Sequence, residues 1–585
     1  MNISGGLIKR TVYGGGEMAT VGLVDLEKSK SQIHQDVNSG FALSWPYEYA
    51  FIQDTGGTAH VNITGGRIGL SGKDKINSDV EEDNGDIYGG GKGIAGDRYE
   101  MGFCGNVRNS EVTIDVPTPT NDQIEIFDRT GSNKWTLRLK KLDSVTEDKL
   151  PGIAGSVYGG GEDGHVLENA EINIANGYIG HSVYGGGKGK GTYKQAVTGK
   201  DIPCNTAGKV YGNTTIEMTG GWIMRNIYGG GNLGSVGKGN YAGGSDDYYP
   251  SGYGEKTTGK LWEITKDSEN KDIHDDAWHF LNSGIATVNI YGGKVGYMVS
   301  AIDKDKISVC DKDDLPTGNV FGGCRGQSPT EESMPTYEEN PAFFLGYVNQ
   351  TEVNIGSTDA ATGPTIYGSV YGGGQDGHVR YQTNVTINKG EIGIPYNDDN
   401  KAIIGDNLDD MHWLNRGNVY GAGSGIGTYN SNNMDENNKP IQKHSSSSGS
   451  ITRSTNVTVN SGITGKTGGV IYRNVYGGGS LASVGPPLIG TTECATKEQS
   501  LCSVTIDGAV GSTDESIFVK EYGGEVYGAS RGETLDPTLY NNFADFASVI
   551  WTKVLVKKNA VIMGNVFGGG DDGIVRKDSE VIVGE

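Results

Sequence analysis

Val157-Tyr158-Gly159-Gly160-Gly161 decides the reading of this chain, because an apolar residue, an aromatic ring and glycine return together eleven times. The other copies begin at Val12-Tyr13, Ile87-Tyr88, Val183-Tyr184, Ile227-Tyr228, Val320-Phe321, Val370-Tyr371, Val419-Tyr420, Val475-Tyr476, Val526-Tyr527 and Val566-Phe567. Self-similarity of this kind marks a repeat architecture. The closest two copies lie 183 − 157 = 26 residues apart, which sets the length of one bare repeat.

A second motif alternates with the first. It reads Val61-Asn62-Ile63, Ile172-Asn173-Ile174, Ile216-Glu217-Met218, Val288-Asn289-Ile290, Val385-Thr386-Ile387, Val457-Thr458-Val459 and Val504-Thr505-Ile506. Apolar side chains two residues apart share one face of a strand, with Asn or Thr on the other. Helical periodicity does not accompany them. A repeat of about 26 residues carrying two short strands cannot bury its own apolar face, so each must stack on its neighbours. The expected fold is therefore all-β: a single-stranded, right-handed parallel β-helix (β-solenoid) of about eleven coils with loop insertions. At one strand spacing per coil the rod is on the order of 50 Å long. With Val inward, the rings point the other way and form an external ladder along one side. Glycine supplies the sharp corner and lets neighbouring backbones approach.

The residues after the glycines sort the repeats into types. Glu162-Asp163-Gly164-His165-Val166 matches Gln375-Asp376-Gly377-His378-Val379 and Asp571-Asp572-Gly573-Ile574-Val575, and the other types recur in the same order. Residues 1–585 then form one continuous solenoid of four-coil super-repeats. Successive super-repeats differ in length (370 − 157 = 213 residues, then 566 − 370 = 196), so insertions leave the coils, at about 239–284, 326–346, 397–417 and 533–552. A short helix is expected over 273–282. Strand-like sequence reaches both ends, at Asn2-Ile3-Ser4 and Glu580-Val581-Ile582, from which a segment of a longer protein is expected.

Composition narrows the function classes. Glycine supplies 97 of 585 residues while proline supplies 16 without a G-X-Y period, so the chain is not collagen. The net charge of −23 sets it against phosphate backbones and anionic membranes, so neither nucleic acid nor membrane insertion is expected. Six dispersed cysteines (Cys104, Cys204, Cys310, Cys324, Cys494, Cys502) show no zinc spacing; Cys310 with Cys324 and Cys494 with Cys502 are candidate pairs, against a reading as small buried thiols.

The alternating Val-Thr-Ile strands and Val-Tyr-Gly-Gly-Gly turns resemble the repetitive right-handed parallel β-helix regions of large bacterial surface adhesin-like proteins. The resemblance implies a secreted or cell-surface location and binding to glycans, matrix or other cells, flanked by further coils of the same polypeptide. It implies a non-enzymatic stalk, with a β-helical polysaccharide lyase or hydrolase as the alternative. Loops leaving a rigid scaffold commonly carry binding. Trp262, Trp278, Trp413 and Trp551, with Tyr248 and Tyr249, are therefore the ligand-binding candidates. No cofactor is expected, although calcium is a candidate because glycine-aspartate turns bind it in β-rolls. Its candidate ligands are Asp163, Asp376, Asp571 and Asp572. The Asp163/His165 and Asp376/His378 pairs have an acid–base reading, but Ile574 replaces the histidine in the third copy. A role in the turn itself accounts for Asp at these places.

Overall fold

The computed structural model describes residues 1–22, 56–69, 85–93, 105–120, 123–128, 135–139, 149–190, 192–194, 201–203, 207–237, 283–297, 318–327, 346–395, 416–435, 437–445, 448–485, 497, 500–518, 523–534 and 546–584. Among them the chain is all-β and dominated by two long parallel sheets, the architecture of a β-solenoid. The eleven Val-Tyr-type segments form one 11-stranded sheet in chain order. The Val-Asn-Ile-type strands, with short strands that follow them, form a 19-stranded sheet.

Register is like on like. Ile172 pairs with Val112 on one side and Ile216 on the other, and Val183 pairs with Val157 and Ile227. Three rows of aliphatic side chains follow. Val61 and Ile63, Ile172 and Ile174, and their equivalents project inward from the long strands. Ile68, Ile179, Ile223 and Ile366 come from the short strands, and Val157, Val183 and Val370 from the ring strands. All meet in one continuous dry interior. A second, narrower interior is built from Val107, Val166, Val210, Val236, Val348, Val379, Ile451 and Val484, lined by alanines and by Cys324 and Cys502. Both cysteines are free, and burial pushes each thiol up to about 12. Their proposed partners Cys310 and Cys494 lie outside the described residues.

One glycine explains the motif. A Cβ on the first glycine after the ring would stand 2.1–2.4 Å from the carbonyl oxygen of the equivalent glycine one winding on, from Gly14 against Gly89 through Gly528 against Gly568. The second and third positions are looser in sequence: Ala422 and Ala529 occupy the second, Cys324 and Ser530 the third. Only the first never varies; at the third, where a Cβ also meets backbone carbonyl oxygens at 2.2–2.6 Å (Gly187 and Gly231 among them), Cys324 and Ser530 are accommodated. The carbonyl of the first glycine also takes a hydrogen bond across the interior. Thr214, Thr351, Thr383 and Ser110 donate to Gly229, Gly372, Gly421 and Gly159 at 2.5–2.7 Å, tying the start of each long strand to its corner.

Side chains also bridge between windings. The residue before each ring strand accepts a hydrogen bond from the backbone N–H of the residue that follows it in the column. Asn226 receives Asn319, Asn319 receives Ser369, Ser369 receives Asn418, Asn418 receives Asn474, and Asn474 receives Glu525, at 2.8–3.1 Å. A second column runs from Asn109 through Asn169 to Asn213. Among the described residues three antiparallel hairpins leave the coils, at Ile124–Asp128 with Trp135–Leu139, Thr192–Lys194 with Asp201–Pro203, and Tyr429–Met434 with Pro440–Lys443. None of these was expected. The 273–282 segment lies outside the described residues.

Candidate functional site

The ring column is the first candidate, and its surroundings differ from the expectation of an external ladder. Ten successive ring pairs from Tyr13 to Phe567 stack with centroids 4.6–5.1 Å apart and planes within 15° of parallel. From Tyr88 to Tyr527 no ring is more than 6% exposed. At three rings the hydroxyl is met by a polar side chain from two windings further on, each lying four residues past the ring of its own winding. Tyr13 donates to Glu162, Tyr228 to Gln375 at 2.6 Å and Tyr476 to Asp571 at 3.5 Å. Within that polar row Lys92 pairs with Glu17 at 3.3 Å and Lys188 with Glu162 at 3.7 Å. A sugar ring cannot stack on faces already covered by other tyrosines. Only Tyr13, half-buried, and Phe567 at the far end face solvent.

The Asp-Gly turns do not converge. Asp163, Asp376 and Asp572 occupy equivalent places four windings apart, which at one strand spacing each is about 19 Å between copies. Asp376 is buried and accepts from Ser448 Oγ at 2.8 Å. Asp572 accepts from Thr534 at 3.2 Å. Burial, with Glu162 beside it, lifts the Asp163 carboxyl to about 6. Burial and the neighbouring Asp572 also raise Asp571. Among the described residues no three His, Cys, Asp or Glu side chains gather as a metal site would require.

Of the tryptophans, Trp262, Trp278 and Trp413 lie outside the described residues, as do Tyr248 and Tyr249. Trp551 is described, and it is not in an excursion. It opens the strand Trp551–Val556, in register with Leu501 of the preceding winding. The insertion read at 533–552 therefore overlaps solenoid strand at its end. Val554 and Val556, two residues apart like Val504 and Ile506, carried that signal.

The third candidate was not anticipated. The valines of the narrow interior stack as Val107, Val166, Val210 and Val236, then Val348 and Val379. The residues flanking them point away from that interior. Four windings carry serine just before this residue (Ser235, Ser450, Ser483 and Ser548), whereas three carry His165, Lys209 and His378, and another carries Tyr347. Large ionisable and aromatic residues clustered in one column, where four windings have serine, were the available signal. Lys209 Nζ donates to the Tyr347 hydroxyl and lies 4.9 and 5.0 Å from the centroids of Tyr347 and Tyr211. The Arg380 guanidinium lies 3.3 Å from the Tyr347 centroid. His165 meets Tyr211 edge-on and shares a 3.1 Å hydrogen bond with Asn106. All six side chains are buried. Burial, and Arg380 beside it, lower His378 to about 3, so its imidazole is neutral at ordinary pH. A cation, a phenol and a neutral imidazole are the ingredients of acid–base chemistry on an anionic substrate. Here, however, the lysine sits between two rings with its proton donated to a phenol. That arrangement fixes three windings to one another.

No family model matches the chain, nor does any curated protein or solved structure. No helix among the described residues is long and apolar enough to cross a membrane.

Proposed function

We propose that the chain is a non-enzymatic structural rod: a right-handed solenoid of about eleven coils serving as a stalk or adhesin-like segment of a secreted or cell-surface protein. Its excursions, rather than its flanks, would meet a glycan or a partner cell. The observation that carries this reading is the continuity of the columns. Aliphatic rows, stacked rings and side-chain ladders run through winding after winding, so each repeat contributes stiffness and none is set aside for chemistry. The acidic surface keeps such a rod dispersed and turned away from nucleic acid. The location outside the cell rests on the resemblance of its repeats to surface adhesin regions.

A panel of immobilised glycans and a panel of acidic polysaccharides, each incubated with the full chain, test it. Binding without new reducing ends or unsaturated products is expected, with binding lost when 239–282 is deleted and the far-ultraviolet spectrum retained. Turnover of any polysaccharide overturns the reading. Such turnover would favour the second one, a β-helical lyase or hydrolase, for which the Lys209–Tyr347–His378–Arg380 cluster is the specific supporting observation. Lys209→Ala abolishing that turnover would assign it there.

A further inference from the structure

Away from the first and last windings, the exposed large apolar side chains among the described residues are two, Met434 at 53% and Ile441 at 42%. Both belong to the hairpin of Tyr429–Met434 with Pro440–Lys443, which pairs with no other strand among the described residues. The hairpin is nevertheless held at both ends. At its base the Glu533 carboxylate accepts from the Thr428 N–H at 3.1 Å and from its hydroxyl at 2.7 Å, and His444 meets the buried Phe546 ring edge-on. At its tip the Asp435 carboxylate accepts from the N–H groups of Asn437 and Lys439, both at 2.8 Å, and the Asp435 N–H donates to the Lys439 carbonyl at 2.8 Å. Asn438 completes the turn in the left-handed region, with φ at 62°. An arm fixed at tip and base has already lost the freedom that docking would take from it. A two-stranded hairpin standing in water is marginal, and further strands stabilise it.

The two edges of the hairpin differ. The returning strand carries Pro440, which has no N–H to offer, and Lys443, two devices that blunt an edge. The outgoing strand, Tyr429-Asn430-Ser431-Asn432-Asn433-Met434, has neither proline nor charge. From this geometry we infer that the outgoing strand is a docking edge, and that its occupant is the same strand of a second copy of this chain, paired antiparallel so that four strands run in one sheet. Charge selects the occupant. The chain carries −23, so two rods repel along their lengths, and this neutral strand lets them meet without opposing like charges. A basic or acidic partner finds no opposite charge there to recognise. Two-fold pairing uses one patch twice and closes on itself. One strand pair buries less than the about 1,200 Å² at which stable interfaces begin, so two free rods associate weakly and rods held side by side associate firmly. The inference goes beyond glycan binding and does not depend on it.

The test is sedimentation of the full chain over a wide range of concentration, beside oxidative cross-linking of variants with one added cysteine. The weight-average mass should rise with concentration toward that of two chains. Added salt should strengthen the association, because it screens the repulsion between rods and takes nothing from a neutral strand. Asn432→Lys combined with Met434→Lys sets like charges on the docking edge and should lower the association constant at least about tenfold. Gln442→Lys, on the blunted edge, should leave it unchanged. Cross-linking adds a gain of signal. Opposed residues of antiparallel strands lie about 4.5–5.5 Å apart at Cα, within reach of a disulfide. Asn432→Cys should therefore give severalfold more covalent dimer than the native chain or Gln442→Cys. A chain that stays single at every concentration, or association that salt weakens, overturns the inference. So does native-like association of the doubly charged edge variant, or Gln442→Cys cross-linking as well as Asn432→Cys.

Discussion

Gly372→Ala places one methyl group where two backbones meet. The new Cβ would stand 2.1 Å from the Gly421 carbonyl oxygen. A comfortable separation exceeds that by roughly 1 Å or more. Neither atom belongs to a flexible side chain, so the windings themselves must part. Two hydrogen bonds lie in the path: Gly372 N–H to the Tyr420 carbonyl at 2.9 Å, and Thr383 Oγ1 to the Gly421 carbonyl at 2.5 Å. Losing them costs about 1 kcal/mol each, and overpacking adds roughly 1–3 kcal/mol, for a total of about 3–5 kcal/mol. Hydrogen exchange at the amides of 370–372 reads this locally, which suits a repeat array whose unfolding is not all-or-none. Exchange should accelerate by at least about a hundredfold, since each 1.4 kcal/mol is a factor of ten. Ala422→Gly, at the second glycine position, serves as the control and should cost only about 1–2 kcal/mol. Equal acceleration in the two variants, or less than tenfold in Gly372→Ala, would refute the close-approach explanation of the invariant glycine.

Tyr184→Ala should destabilise its windings by about 3–5 kcal/mol, while Tyr184→Phe should cost about 1 kcal/mol; urea unfolding followed by tyrosine fluorescence separates the two. Asn418→Ala removes the acceptor of the buried Asn474 amide and should cost about 1–3 kcal/mol, visible as faster exchange at Asn474 and Val475. Asp163 titrates near 6 when folded and at 3.8 by default, because burial disfavours its charge. Its neutral form is thus favoured by folding: the stabilising contribution is complete below pH 3.8 and declines as pH rises through about 6. Asp163→Asn should therefore gain on the order of 2–3 kcal/mol at pH 7 and nothing at pH 3; a gain independent of pH would contradict the assignment.

The winding architecture was legible because its signals are local and periodic. Val157-Tyr158-Gly159 and Ile172-Asn173-Ile174 each state their face and their corner within a few residues, and eleven repetitions remove coincidence. Burial of the rings was not legible, because the atoms that meet Tyr228 come from Gln375, 147 residues away and two windings on. The Lys209–Tyr347 contact spans 138 residues for the same reason, although Lys, Tyr and His gathered in one column marked the place. Trp551 was misassigned because a large aromatic in a variable-length region was weighed above the alternation of its neighbours. Which carboxyl of the Asp-Gly segments is desolvated depends on packing that no spacing encodes: Asp376 is met by Ser448, 72 residues away.

The corner where one glycine faces the next also bears on how such a gene can change. The backbone of each winding is fitted to the two beside it through the same few atoms, with side chains such as Gln375 reaching one winding further. Unequal recombination that removes or adds a whole four-winding block joins surfaces already matched in shape. Allelic length variants should therefore differ by entire blocks, with breakpoints in the excursions.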